Sequence, residues 1–186
     1  MAEIKTIGVV GAGTMGNGIA HVCARAGFSV VLYDLQQAFL DRGLATIEKN
    51  LAREVAKSKL TAQQADEARA RITPVLELDA LGGCGLAIEA APEKFAVKAE
   101  IFRNLARILP REAILASNTS SISITKLAAV TARPEQVIGM HFFNPVPVMP
   151  LVDVIRGLPT SQATFDAVHG LSQTLGKTPV EVHDAA

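Results

Sequence analysis

The sequence is poor in cysteine, aromatic residues and net charge. It has two cysteines, no tryptophan and one tyrosine, and its 18 basic and 18 acidic residues cancel. This balance gives no electrostatic case for nucleic acid or an anionic membrane surface as a partner. No apolar run is long enough to span a bilayer. Hydrophobic residues nevertheless make up 49% of the 186 residues, so we expect a packed domain and not a disordered chain.

The two cysteines indicate a reducing compartment. Cys23 and Cys84 lie far apart in the sequence, among small or apolar residues and without metal-ligand spacing. We expect both to be buried, reduced thiols, and we expect no bound metal. The N-terminus leads almost directly into an apolar segment, which leaves no room for a signal or transit peptide. A cytoplasmic protein is the simplest expectation.

A glycine-rich turn between two apolar segments dominates the first part of the chain. Residues 7–10 are apolar and rich in β-branched side chains, which is typical of a buried strand. The motif Gly11-Ala12-Gly13-Thr14-Met15-Gly16 follows, and a helix-spaced apolar pattern then runs to Gly27. Residues 29–33 predict a second strand, and Asp34 comes directly after it.

This pattern suits a dinucleotide. Gly11 permits a tight turn, Gly13 lets a pyrophosphate approach the backbone, and Gly16 lets the helix pack closely on the strands. Asp34 follows at about the distance where a carboxylate can bind the adenosine ribose hydroxyls, and its charge would repel a 2′-phosphate. A lone motif of this kind can be an ordinary glycine loop, but the surrounding strand, helix and acid favour NAD. The predicted cofactor contacts are Gly11, Gly13, Thr14, Met15, Gly16 and Asp34.

Two amphipathic helices are predicted before the third strand. Apolar residues at helical spacing mark a long helix over about 40–55, and Thr61 with Gln64 forms a capping box that opens a second helix. The basic residues of this helical hairpin are Lys49, Arg53, Lys57, Lys59, Arg69 and Arg71. They fit a solvated amphipathic face, or a mobile flap that meets an anionic ligand.

Strands and helices alternate along the rest of the chain. Strands are predicted at 72–75, 86–89, 113–117, 137–140, 151–155 and 179–183, and helices at 96–109, 124–130 and 161–175. The proline-rich segment 142–150 excludes a helix or a central strand. The pattern predicts an α/β fold, a Rossmann-type doubly wound sheet with a long helical hairpin inserted after the second strand.

Polar residues follow several predicted strands, and in such a sheet ligands bind outside the carboxyl ends of the strands. His141 comes where a nicotinamide ring would be expected, and an imidazole suits proton transfer near neutral pH. The other histidines, His21, His169 and His183, are expected to be structural.

Three side chains could assist His141. Ser120 and Asn144 can donate hydrogen bonds to the substrate oxygen that loses its proton. Asp153 lies among apolar neighbours, where a carboxylate needs a partner, and it can orient the imidazole. The alternative interpretation is that Asp153 is a surface acid on an edge strand.

Three segments carry a resemblance to a known family: Gly11–Gly18, the string Ser117-Asn118-Thr119-Ser120-Ser121, and His141–Met149. Over its whole length the chain resembles the L-3-hydroxyacyl-CoA dehydrogenases. These include bacterial 3-hydroxybutyryl-CoA dehydrogenases and the dehydrogenase part of multifunctional fatty-acid oxidation proteins. The resemblance implies NAD-dependent oxidation of a 3-hydroxyacyl-CoA to the 3-oxoacyl-CoA.

The resemblance also implies residue roles. His141 would be the base, paired with Asp153, and Ser120 and Asn144 would contact the substrate. The further positions that match cofactor contacts are Glu93, Lys98 and Asn118. The helical hairpin resembles the family's CoA-facing arm, with Lys57 and Lys59 as candidates for the CoA phosphates.

Two departures from the family's pattern bear on activity. The family usually has Glu at the position of Asp153, so the contact with His141 is expected to be longer, bridged by water or restored by a backbone shift. The family also continues into a helical domain that supplies a further Asn, closes the cleft and forms most of a homodimer interface. The resemblance therefore predicts that residues 1–186 are the NAD-binding domain without that helical domain, and that their turnover is low.

Two other functions remain open. One is a non-catalytic dinucleotide-binding module, which would not need Ser120, His141, Asn144 and Asp153 together. The other is a dehydrogenase of another hydroxy acid, such as gulonate. The basic residues of the hairpin favour a CoA ester without deciding between these substrates.

Overall fold

A computed structural model describes residues 3–184 as one eight-stranded sheet with helices on both faces. The strands are β1 (Thr6–Val10), β2 (Ser29–Tyr33), β3 (Ile72–Val75), β4 (Leu86–Glu89), β5 (Ile114–Ser117), β6 (Val137–Phe142), β7 (Leu151–Arg156) and β8 (Thr178–His183). Their order is β3-β2-β1-β4-β5-β6-β7-β8. The first six strands run parallel, β7 is antiparallel to β6, and β8 is parallel to β7.

In this described part of the chain six α-helices cover the sheet: α1 (Thr14–Arg25), α2 (Gln37–Ala56), α3 (Ala62–Ala70), α4 (Phe95–Ile108), α5 (Ile124–Ala128) and α6 (Gln162–Thr174). The apolar faces of α1, α2, α3 and α6 pack into one core, and those of α4 and α5 pack into a second core on the opposite side. The predicted doubly wound sheet is confirmed. No helix within residues 3–184 has the length and apolar character needed to cross a membrane.

The predicted strands and helices all form, with small shifts at their ends. The largest difference that concerns a site residue is in β6, which runs to Phe142 and so includes His141. The reason is long-range, because β7 pairs with β6 in antiparallel register and extends it. A short 3₁₀ helix at Leu78–Leu81 was not predicted.

The helical hairpin of α2 and α3 packs onto α1. Leu40, Ile47 and Leu51 of α2 and Ala68 of α3 are buried in the same core as α1, so the hairpin does not stand free of the domain as a detached flap. The predicted capping box is present, since the Thr61 hydroxyl accepts from the Gln64 amide at 3.1 Å.

Four of the six basic residues of the hairpin lie in two different environments. Arg69 is paired with Glu48 at 3.0 Å, and Arg71 lies 3.8 Å from Glu67, which fits a solvated amphipathic face. Lys57 and Lys59 are exposed at the turn between α2 and α3.

The expectation of buried, reduced cysteines is confirmed. Cys23 and Cys84 are both free and buried. Burial raises the pKa of the Cys23 thiol to about 12 and that of Cys84 to about 11, so neither is a reactive thiolate near neutral pH.

Candidate active site

The glycine turn after β1 is tightly packed between Gly11 and Gly16, and it has free space at Gly13. Gly11 has a φ of 107°, and a Cβ on Gly16 would lie 1.8 Å from the carbonyl oxygen of Gly11. At Gly13, by contrast, an added Cβ would meet nothing within 4 Å. The turn is therefore fixed against the sheet while its backbone near Gly13 stays accessible to a ligand.

The start of α1 offers backbone donors to that free space. Gly13 is the N-cap residue, no side chain caps the helix, and the first turn carries no acidic residue. The N–H groups of a first helical turn have no partner inside the helix, and the helix dipole favours an anion there. This arrangement suits a pyrophosphate.

Asp34 is held beside the glycine turn by backbone donors. Its Oδ2 accepts from the Ala12 amide at 2.8 Å, and its Oδ1 accepts from the Leu35 amide at 2.6 Å. Each carboxylate oxygen can accept a further hydrogen bond, so Asp34 can still bind ribose hydroxyls. The negative charge at this point disfavours a 2′-phosphate.

A cavity of about 1090 Å³ connects these groups. It extends from the glycine turn past Asp34, between Phe39 and Arg42 of α2 on one side and Val97 of α4 on the other. The open turn, the uncapped helix start and the carboxylate are the groups that NAD requires, and the residues present fit that cofactor.

Glu93 joins the loop after β4 to the loop after β5. Its carboxylate accepts from the Thr119 hydroxyl at 2.8 Å and from the Ser120 amide at 3.1 Å. The Ser120 hydroxyl lies 3.3 Å away. Partial burial raises the pKa of Glu93, but these hydrogen bonds and the charge of Lys98 outweigh it, and the net pKa lies below the usual value. Glu93 is therefore ionised near neutral pH.

Lys98 lies beneath these loops and is fully buried. Its Nζ is 2.7 Å from Glu89, 3.1 Å from the Ala91 carbonyl and 3.4 Å from Glu93. The first two contacts are hydrogen bonds and the third is an ion pair, so two carboxylates compensate the buried charge. The structure thus places this predicted cofactor contact behind Glu93, which it helps to hold.

Glu89 is a site residue that sequence reasoning missed. It is fully buried at the end of β4 and also accepts from the Ser117 hydroxyl at 2.6 Å and the Ala91 amide at 2.7 Å. The sequence does contain a signal for it. Glu89 ends an otherwise apolar strand, and a buried carboxylate in that position needs hydrogen-bond partners.

His141 and Asp153 are direct cross-strand partners in β6 and β7. Nδ1 of His141 lies 3.6 Å from Oδ2 of Asp153, and the two side chains are 23% and 29% exposed. This separation is longer than a hydrogen bond, in keeping with the shorter side chain of Asp. Because β8 lies beyond β7, Asp153 is not on an edge strand.

The other predicted site residues lie at the ends of β5 and β6. Asn118 joins these ends, because its Oδ1 accepts from the Phe142 amide at 2.9 Å. Ser120 follows β5, and Asn144 is exposed just beyond β6. The structure thus gathers Asn118, Ser120, His141 and Asn144 at one edge of the sheet. No hydrogen bond or ion pair within residues 3–184 links Lys57 or Lys59 to this edge.

Comparison with known proteins agrees with this geometry. The family model described as "3-hydroxyacyl-CoA dehydrogenase, NAD binding domain" matches residues 6–185. A 3-hydroxybutyryl-CoA dehydrogenase of Bradyrhizobium diazoefficiens is 54% identical over 176 residues, which are 95% of this chain and 60% of the relative. A 3-hydroxyadipyl-CoA dehydrogenase of Escherichia coli is 43% identical over 183 residues, 98% of this chain and 38% of the relative.

A solved structure shows the same fold. The crystal structure of (S)-3-hydroxybutyryl-CoA dehydrogenase from Ralstonia eutropha matches with a TM-score of 0.96 and 50% identity, over 98% of this chain and 65% of that one. The chain thus spans less than two thirds of the length of these relatives.

Proposed function

The chain belongs to the 3-hydroxyacyl-CoA dehydrogenase family, and we propose that it carries the catalytic groups that oxidise an L-3-hydroxyacyl-CoA to the 3-oxoacyl-CoA. The observation that carries the proposal is the placement of His141 opposite Asp153, on the sheet edge that also holds the glycine turn. NAD, when bound, supplies the acceptor for the hydride that leaves carbon 3.

The protein's own part is proton transfer and positioning. Nε2 of His141 takes the proton of the 3-hydroxyl group, which leaves an imidazolium. The Asp153 carboxylate on the Nδ1 side favours that cation and orients the ring. The Ser120 hydroxyl, rotated away from Glu93, and the Asn144 amide donate hydrogen bonds to the substrate oxygen as its negative charge develops.

The proposal also covers the binding of CoA, the longer protein and its location. Lys57 and Lys59 bind phosphates of CoA, which their exposure at the hairpin turn permits. Residues 1–186 form the NAD-binding domain of a longer dehydrogenase that pairs as a homodimer through a second, helical domain. The greater length of the relatives supports the presence of a further domain. The two free cysteines support a cytoplasmic location.

A substrate panel tests the proposed function. Residues 1–186 should form NADH from (S)-3-hydroxybutyryl-CoA, more slowly than the Bradyrhizobium relative, and should form none from the (R) isomer. NADH from free 3-hydroxybutyrate or gulonate at a similar rate would instead indicate a dehydrogenase of simple hydroxy acids. NAD binding without turnover of any of these compounds would indicate a dinucleotide-binding module.

Two substitutions of Asp153 should separate the effect of its charge on kcat from the effect of its side-chain length. We expect Asp153→Asn to lower kcat about 10- to 100-fold, because the imidazolium loses its counter-charge. Asp153→Glu should retain at least the original kcat, since one added methylene can close the 3.6 Å gap to Nδ1. Steady-state kinetics on (S)-3-hydroxybutyryl-CoA measure both, and equal losses in the two variants would exclude an orienting role.

Substitution of Asp34 should change the choice of cofactor. We expect Asp34→Ser to weaken NAD binding about 10-fold and to tighten NADP binding, because the ribose loses an acceptor and the 2′-phosphate loses a repelling charge. Calorimetric titration of both cofactors checks this expectation. An unchanged ratio of the two dissociation constants would contradict the assignment of Asp34 to the ribose.

A further inference from the structure

The loop that carries Asn144, residues 143–150, has too few donors for its own carbonyl groups. Three of its eight residues are prolines, which have no N–H. The amides of Val148 and Met149 both donate to the Pro145 carbonyl, at 3.0 and 2.9 Å. Those of the remaining carbonyl oxygens that are buried therefore need donors from outside the Asn144 loop.

Lys177 supplies donors to two of those carbonyls. Its Nζ donates to the Val146 carbonyl at 2.6 Å and to the Met149 carbonyl at 2.7 Å. The next residue, Thr178, donates its amide to the Pro150 carbonyl at 2.7 Å. Lys177 is only 7% exposed, so its ammonium has been taken from water and directed at the loop.

The opposite side of the Asn144 loop rests on α1. A Cβ on Gly18 would lie 2.7 Å from the Val146 side chain, so loop and helix are in close contact. Arg25 of α1 lies 3.4 Å from the Pro147 carbonyl and is ion-paired with Glu54 of α2 at 2.5 Å. The loop is thus held between a helix and the Lys177 ammonium.

We infer that Lys177 is a positioning residue, which holds the Asn144 loop in the shape that presents Asn144 to the acyl-CoA substrate. The inference rests on the proposed function for the identity of that substrate. Asn144 lies two residues before Val146, whose carbonyl Lys177 binds. If the loop lost its contact with Lys177, the side-chain amide of Asn144 that faces the reacting oxygen would shift. Small displacements of such groups lower the reaction rate strongly.

The charge of Lys177 makes this contact sensitive to pH. Burial lowers the pKa of Lys177 to about 8, with a further lowering by Arg25 and an opposing effect of Glu54. His21 is the remaining ionisable group in this cluster and is bonded to Glu54 through Nε2. Lys177 is thus mostly protonated near pH 7, and a neutral amine, present at higher pH, binds carbonyl groups more weakly.

Lys177→Met tests the inference, because Met keeps the length of the side chain and removes its donors. We expect hydrogen exchange at the Val148 and Met149 amides to rise about 10-fold. The kcat for (S)-3-hydroxybutyryl-CoA should fall about 10- to 100-fold, with the NAD dissociation constant changed less than about 2-fold. In the unaltered chain the same two amides should lose protection between about pH 7 and about pH 9, after correction for intrinsic exchange, and the variant should lack this change.

Val168→Ala is the matched control, since Val168 is buried on α6 and, within residues 3–184, forms no hydrogen bond with the loop. It should lower thermal stability while leaving both the loop amides and kcat unchanged. Unchanged exchange in Lys177→Met, or an equal rise in the control, would overturn the inference. Raised exchange with an unchanged kcat would also overturn it. Absence of turnover in the unaltered chain would reject the proposed function instead, and exchange would still decide whether Lys177 holds the loop.

Discussion

Replacement of His141 by Ala should lower kcat for (S)-3-hydroxybutyryl-CoA by about 10³- to 10⁴-fold, toward the upper end of what a positioned base contributes. The substrate hydroxyl then has no acceptor for its proton. Binding of NAD should change less than about 2-fold, because the glycine turn and Asp34 lie on other strands. NADH formation measures the first effect, and calorimetric titration measures the second.

The histidine at position 183 provides the control for this experiment. His183 is 74% exposed on β8, where it pairs with Glu181 at 3.2 Å. His183→Ala should therefore leave kcat unchanged. If His141→Ala kept more than about a tenth of the original kcat, His141 would not be the base.

Substitutions in the glycine turn should have the second large effect, and they should separate folding from cofactor binding. In Gly16→Ala the new Cβ would lie 1.8 Å from the Gly11 carbonyl oxygen, so the turn must move. We expect stability to fall by about 1–3 kcal/mol and the NAD dissociation constant to rise about 100-fold. Thermal unfolding and calorimetric titration measure the two effects.

Gly13→Ala is the informative companion variant. Its Cβ meets no protein atom within 4 Å, so stability in the absence of cofactor should change by less than about 0.5 kcal/mol. NAD binding should still weaken, because the Cβ enters the space that the pyrophosphate needs. A Gly13→Ala variant that binds NAD normally would show that the phosphates do not approach the turn.

The parts of the fold that could be predicted from the sequence are those with local signals. The glycine turn, the helix behind it and Asp34 are consecutive, and each part of that pattern has its own residue preference. The capping box of Thr61 and Gln64 could likewise be predicted, because its two hydrogen bonds join residues only three positions apart in the sequence.

The features that escaped prediction are made by residues distant in sequence. His21 was expected to be structural, and its burial fits that role, but its partner Glu54, 33 residues away, has no local signal in the sequence. Lys177 donates to the carbonyl of Val146, which lies 31 residues away in the sequence. No local pattern near either residue predicts that contact. The position of His141 inside β6 likewise depends on β7, which arrives later in the chain.

The proposed function requires that His141 meet the reacting oxygen of a 3-hydroxyacyl-CoA beside bound NAD. A crystal structure of residues 1–186 with NAD⁺ and acetoacetyl-CoA tests it most directly. We predict density for the pyrophosphate against the backbone at Gly13 and Thr14, with Nε2 of His141 within hydrogen-bond distance of the carbon-3 oxygen. A cofactor bound away from the turn, or an acyl group whose oxygen does not reach His141, would contradict the account.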